Sequence, residues 1–203
     1  MTSQELVNKK KSAFNKLTEN LFSSLNSGEQ ATLSISGEDS LYCRFSQSKV
    51  RQSTRVDQAN VSLNFIVNNR ELKKSMTLSW DYDKDSRVLS ELVEVARKEA
   101  KLLPETPFIV KPTNVGSSEE DILLDQPNGE RVIPEMMDPI QSVDAAGLLA
   151  DGLVFRGNQN SEGQKHWFSN ESFYVDYSLY SSKQKAVKAC YADAAWNPSA
   201  FEA

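Results

Sequence analysis

Asn60-Val61-Ser62-Leu63-Asn64-Phe65-Ile66-Val67-Asn68-Asn69-Arg70-Glu71-Leu72 is an extended strand and its turn written side by side. Val61, Leu63, Phe65 and Val67 recur at period two, which places them on one face of a pleated chain. The Asn68-Asn69 pair that follows tolerates positive φ and suits a tight turn. Leu72, Met76, Leu78 and Trp80 then carry a returning strand. Upstream, Leu33 and Ile35 share a face, and Leu41, Cys43 and Phe45 alternate against Tyr42 and Arg44. Gly37-Glu38-Asp39-Ser40 has the composition of a hairpin between those two runs. Together these segments predict a four-stranded antiparallel meander with one buried face.

Both flanks of the meander read as helices. From Ser3 to Leu25, apolar residues at Leu6, Phe14, Leu17, Leu21 and Leu25 recur at the three-to-four step of an amphipathic helix. Ser3 is the candidate cap, and Asn26-Ser27-Gly28 ends the helix. After loop chemistry at Asp81 to Ser86, Val88, Leu89, Leu92, Val95, Ala96 and Leu103 form a second stripe, capped by Asp85 or Ser86 and stopped by Pro104. The fold class predicted is therefore α+β: a meander sheet covered by two helices, followed by an irregular connection and a further β-hairpin.

Three regions are expected. Residues 1–110 form the N-terminal α+β domain, 111–146 an irregular connection, and 147–203 a β-rich segment leading towards a further domain. Six of the seven prolines lie between Pro104 and Pro139, together with the acidic run Glu119-Glu120-Asp121. A short strand is expected at Ile122 to Leu124, and a weak helix from Val143 to Leu153, interrupted by Gly147 and ended by Gly152. Strands follow at Trp167 to Leu179 and Ala186 to Trp196. Asn197-Pro198-Ser199 reads as the cap of a helix that Phe201-Glu202-Ala203 only begins, as in a chain cut short.

Composition narrows the function classes. A net charge of -5 and a pI near 5.1 provide no general attraction to phosphate backbones, and Lys9 to Lys11 is too short for a basic stripe. Nucleic acid is not an expected partner. With mean hydropathy of -0.51 and no apolar run near the roughly 18 residues that span a bilayer, no membrane contact is expected either. Met1 to Ser12 lacks the apolar stretch of a signal peptide. Cys43 and Cys190 fit no metal or redox spacing and read as free thiols of a reducing, cytoplasmic compartment.

A single histidine limits the available chemistry. His166 would have to serve any Ser-His-Asp mechanism with Ser161 and Asp176, yet no Gly-x-Ser-x-Gly elbow surrounds a serine here. A zinc site from His166, Cys43 or Cys190 and a carboxylate would need ligands converging in space, because none are paired on one turn. The plainer reading makes His166 a rim residue beside Trp167, and makes Glu119 to Asp121 a solvated loop. No catalytic and no metal-binding residue is assigned.

The best site candidate is Ser161 to Tyr180 with the turn before it, Arg156-Gly157-Asn158-Gln159-Asn160-Ser161-Glu162-Gly163-Gln164. Phe168, Phe173, Tyr174, Tyr177 and Tyr180 place rings on both faces of a strand, so one face can be an apolar shelf beside backbone that accepts an extended peptide. The plainer reading is that both faces are core, since aromatic strands commonly pack inward. The peptide-binding candidates are Arg156, Asn160, Ser161, Gly163, Trp167 and Tyr174.

Several motifs in order resemble the TldD/PmbA family, peptide-maturation metallopeptidases once labelled modulators of DNA gyrase. They are Arg44-Phe45-Ser46-Gln47-Ser48-Lys49-Val50-Arg51-Gln52, Leu102-Leu103-Pro104-Glu105-Thr106-Pro107-Phe108, Gly147-Leu148-Leu149-Ala150-Asp151-Gly152 and Asn160-Ser161-Glu162-Gly163. In that family an N-terminal α+β domain precedes a larger domain, and the catalytic subunit holds zinc through His-Glu-x-x-x-His and a later cysteine. That motif is absent here. Wording near Trp167, Tyr177-Ser178-Leu179-Tyr180 and Lys185-Ala186-Val187-Lys188 is closer to the PmbA-like (TldE) branch. The resemblance implies the N-terminal region of a non-catalytic component of a cytosolic zinc metallopeptidase acting on unfolded peptides. It also implies no cofactor in this chain, zinc in the catalytic partner only, and a family partner subunit in a homo- or heterodimer. The alternative is a standalone protein-binding module that uses an exposed strand edge, and a metal-dependent hydrolase in its own right is a third reading.

Overall fold

The first helix, α1 (Ser3–Ser23), opens a computed structural model that describes residues 2–125, 128–181 and 185–202. Thr2, one residue before the predicted cap, closes a capping box with Glu5. Three long strands follow, β1 (Glu29–Ser46), β2 (Lys49–Val67) and β3 (Arg70–Thr77), and then α2 (Tyr82–Ala100). Asp81, not Asp85 or Ser86, caps α2 by accepting from the Lys84 amide. Asp85 turns back instead and accepts from the amide and hydroxyl of Ser79, both at 2.9 Å. Beyond α2 come β4 (Ser118–Ile122), a 3-10 turn at Gly129–Arg131 and α3 (Val132–Met137). The chain continues with β5 (Asp144–Asn160), β6 (Lys165–Tyr180), β7 (Ala186–Asp193) and α4 (Pro198–Glu202).

The α+β class and the antiparallel sheet are as expected, and the strands join one seven-stranded sheet in the order β3-β2-β1-β5-β6-β4, with β7 also on β6. Only β4 runs parallel to its neighbour among these pairs. One sheet thus spans the segments 1–110 and 147–203. The Asn68-Asn69 turn is present, both residues at positive φ (49° and 54°), and β2 returns as β3 in the register Val67↔Arg70.

Two of the expected elements take a different form, both at glycine. Gly37 to Ser40 is no hairpin but the middle of the 18-residue β1, so the meander has three strands rather than four. Gly37 pairs with Phe155 across β1 and β5, and a Cβ there would lie 2.4 Å from the Phe155 ring and 2.6 Å from the Gln58 carbonyl. The glycine marks a close approach, not a turn. Replacing Gly37 with valine is expected to cost about 1–3 kcal/mol by overpacking; an unchanged urea midpoint would show that the ring simply moves aside.

Val143 to Leu153 is the second. It is strand β5, not helix. Its buried residues Ala145, Leu149 and Leu153 step by four, a spacing that satisfies a strand face as well as a helix stripe. Pairing with β1 on one side and β6 on the other decides it. The short strand also moves, from Ile122–Leu124 to Ser118–Ile122.

At about 3.3 Å per residue, β1 runs nearly 60 Å. Such a length exceeds what one pair of helices covers, and two cores lie under the same face. At one end Phe14, Leu17 and Leu21 of α1 and Leu89, Val93 and Ala96 of α2 pack on Leu33, Leu63, Phe65 and Phe155. At the other, Val132 and Met136 of α3 and Trp196 pack on Cys43, Phe45, Leu149 and Phe173. The opposite face carries Thr32, Ser34 and Ser36 on β1 and, further along, the exposed side chains of Leu148, Val154, Phe168, Tyr174 and Tyr180. No helix among the described residues is long and apolar enough to cross a membrane.

Candidate functional site

The β5–β6 hairpin is held by its own side chains. Asn160 Oδ1 accepts from the amides of Glu162 (3.0 Å) and Gln164 (3.1 Å), while its Nδ2 donates to the Thr113 carbonyl (2.9 Å). Ser161 clamps the turn to β1: its amide donates to Ala31 O at 2.9 Å, and its hydroxyl accepts from Ala31 N at 3.2 Å. Gly163 supplies the left-handed residue, φ +91°. These three candidates therefore build the turn with the polar groups a ligand would need.

The other three candidates separate by face. Trp167 is buried, stacked on Phe155 with ring centroids 5.7 Å apart and planes 12° apart, and tilted against Phe14. Arg156 and Tyr174 lie on the helix-free face, Arg156 opposite Ser36 and Phe168, Tyr174 opposite Ala150 and Ala192. The aromatic strand thus has one core face and one exposed face. Its edges are taken on both sides: β5 pairs along one, while β4 (to residues His166–Asn170) and β7 (to Phe173–Tyr180) share the other. The open edge expected on this strand lies one strand further out, along β7, which among the described residues pairs with β6 alone.

His166 sits at the start of β6, its Nδ1 2.8 Å from Ser118 Oγ and its Nε2 2.5 Å from Gln164 Nε2. Asp176 is ten residues along the same strand, about 33 Å away at 3.3 Å per residue, and pairs with Lys188 at 3.0 Å. The pair cannot act together. Both cysteines are free; Cys43 is buried, which pushes its thiol pKa up, and Cys190 is exposed. Glu119 pairs with Lys11 and Asp121 accepts from Ser169. Among the described residues no three His, Cys, Asp or Glu side chains are grouped to hold a metal ion.

A second constellation lies on the covered face, in the seam between the two cores. Asp39, Asp151 and Glu171, each under 9 % exposed, come from β1, β5 and β6. In the register Asp39 and Glu171 both pair with Leu153, and Asp151 faces Leu41 and Phe173 one step along. Asp39 binds Arg55 at 2.6 Å. Glu171 accepts from Ser3 Oγ at 2.5 Å and from the Leu124 amide at 2.8 Å. Asp151 accepts from Asn128 Nδ2 at 2.8 Å, and burial holds its carboxyl above the ordinary carboxylate range. The sequence pattern hides this group, because Asp39 reads as part of a hairpin and Asp151 as part of a helix, whereas both lie on long strands. The available signal was an acid at the apolar parity of a strand, as at Leu149-Ala150-Asp151-Gly152-Leu153.

Neither a family model nor a curated protein sequence matches this chain. Solved structures do. TldE from Thermococcus kodakarensis superposes with a TM-score of 0.61 at 13% identity, over 90% of this chain and 43% of that one. A protein described as a proposed modulator of a DNA gyrase from Thermotoga maritima gives 0.62 at 11% identity, over 93% and 46%. Another, from Bacteroides thetaiotaomicron, gives 0.58 at 13% identity, over 90% and 44%. This chain therefore has a fold present in TldE and these modulator proteins, in agreement with the TldD/PmbA resemblance of its motifs, and spans less than half of their length.

Proposed function

We propose that this chain is the peptide-holding, non-catalytic region of a TldD/PmbA-like assembly of the cytoplasm, with zinc and cleavage chemistry residing in a partner subunit. The observation that carries this reading is the join between an unpaired edge and an exposed aromatic face. Among the described residues the outer backbone of β7 is unpaired, and its Ala192, Cys190 and Lys188 continue the row of Tyr174, Asp176 and Ser178 on the helix-free face. An extended peptide added along β7 would satisfy backbone donors and acceptors and lay alternate side chains beside Tyr174 and Tyr180. Arg156, next to Phe168, would set polarity further along the same face. Asn160, Ser161 and Gly163 serve by fixing the hairpin, and Trp167 by seating it on the core.

Hydrogen exchange tests the edge. Adding an unfolded ten-residue peptide should slow exchange at alternate amides of Ala186 to Asp193 by at least tenfold. Unchanged β7 amides, or protection confined to the rim of β3, would reject the reading. Peptide incubated with zinc and this chain alone should stay intact. The same edge would equally serve a standalone protein-binding module, and copurification separates the two: the assembly reading requires a partner bearing His-Glu-x-x-x-His, whereas the module does not.

A further inference from the structure

The seam on the covered face encloses a cleft of about 390 Å³. Its walls are mixed, with Leu6, Leu41, Leu124 and Leu153 as the apolar part. Its charged lining is lopsided: Asp39, Asp151, Glu171 and Glu130 against Arg55. Arg55 is 69 % exposed and is engaged by Asp39. Asp151 and Glu171 are each 7 % exposed, and among the described residues neither has a cationic nitrogen within 4.0 Å.

Two carboxylates buried to this degree without a cation are costly, because desolvation is repaid only in part by neutral hydrogen bonds. Each has just such neutral donors: an amide for Asp151, a hydroxyl and a backbone amide for Glu171. Carboxylates kept this way face a cavity to which Leu6, Leu41, Leu124 and Leu153 contribute apolar wall. A group that fits has a compact positive head and a short aliphatic stem. We propose that the cleft is a binding site for a primary alkylammonium group, its head between Asp151 and Glu171 and its methylenes against Leu41 and Leu153. A guanidinium is disfavoured, since its planar fork wants bidentate carboxylates, and here oxygens of both acids are already occupied.

The site also reaches the end of the chain. Asn128 Nδ2, besides donating to Asp151, donates to Ala194 O at 3.0 Å, and Asn128 Oδ1 accepts from Trp196 N at 2.8 Å. A cation on Asp151 pulls on the amide that pins the segment leading into α4. The reporter is thus built in: the Asn128 side-chain amide signals sense the ligand directly.

Such a head occurs on a lysine side chain and on a free amine, and the test separates them. The full chain is titrated with n-butylammonium, with acetyl-Gly-Gly-Lys-Gly-Gly-amide and with the same peptide carrying norleucine, following the Asn128 side-chain amide and Gly129 by NMR. Saturable shifts with either cationic probe and none with norleucine support the site. A response to butylammonium alone assigns it to small amines, and a response to the lysine peptide assigns it to polypeptide. Asp151→Asn and Glu171→Gln should each weaken binding at least tenfold.

Affinity should also fall on acidification as Asp151 takes up its proton, in a field set by Asp39, Arg55, Glu130, Arg131 and Glu171. Equal shifts with norleucine, no shifts with either cation, or full affinity in a folded Asp151→Asn variant would overturn the proposal. The norleucine comparison needs no variant. Because the cleft lies on the face opposite the β7 edge surface, failure of one site leaves the other standing.

Discussion

Replacing Phe155 with alanine is expected to lower the unfolding free energy by about 3–5 kcal/mol, towards the upper end of that range. Phe155 is 1 % exposed and meets Trp167 at 5.7 Å, Trp80 at 6.0 Å and the bare backbone of Gly37. Large-to-small substitutions are least damaging where neighbours collapse into the void. Here that is blocked, since Gly37 has no side chain to move in and Trp80 is pinned. Its indole donates to Asp57 at 3.1 Å, Lys10 Nζ stands 3.7 Å above its ring, and its backbone holds φ +62°. The measurement is a urea unfolding curve. A loss under about 1.5 kcal/mol with an unchanged slope would mean that the core relaxes, contrary to the packing described. In a double-mutant cycle, Gly37→Ala should cost less once the ring is gone.

Arg97→Ala should cost about 3–5 kcal/mol, because it strands a buried carboxylate. Arg97 on α2 holds Glu29 at the start of β1 by two parallel bonds of 2.8 and 2.7 Å, and also binds Glu94 and the Ser24 carbonyl. The Glu29 side chain is 7 % exposed. This fork ties the end of α1, the start of β1 and α2 at one point. The Arg97 guanidinium, with amide donation from Asn26, holds the Glu29 carboxyl below its ordinary value. A carboxyl lowered in the folded state contributes stability above its unfolded value of 4.5, and that contribution is lost as pH falls through the folded one. Wild-type stability should therefore drop on acidification below pH 4.5, and the drop should shrink in Arg97→Ala. Equal acid sensitivity in both proteins would assign the effect to other carboxylates.

The candidate site was legible only in part. Exposure of Tyr174 follows from strand parity, and the turn-building role of Asn160 and Gly163 from local chemistry, so both could be read from neighbouring residues, whereas Arg156 reads as the start of the turn and lies instead within β5. That β4 and β7 take the edge of β6, moving the free backbone one strand outward, depends on partners separated by up to 48 residues, which no local pattern encodes. The acids of the seam are harder still, each coming from a different strand.

Residues within a turn or two of one another are enough to specify the Val67–Arg70 hairpin, both long helices and the apolar parity of β2, since these rest on local φ preferences and on burial at a fixed period. Gly37 and the stretch from Val143 to Leu153 answer to something else. A glycine among polar residues and a four-residue apolar step are each compatible with two conformations, and nothing nearby breaks the tie. It is broken by backbone pairing across more than a hundred residues, Gly37 against Phe155 and Cys43 against Leu149. The hydrogen bonds of a strand, unlike those of a helix, are completed by a distant part of the chain.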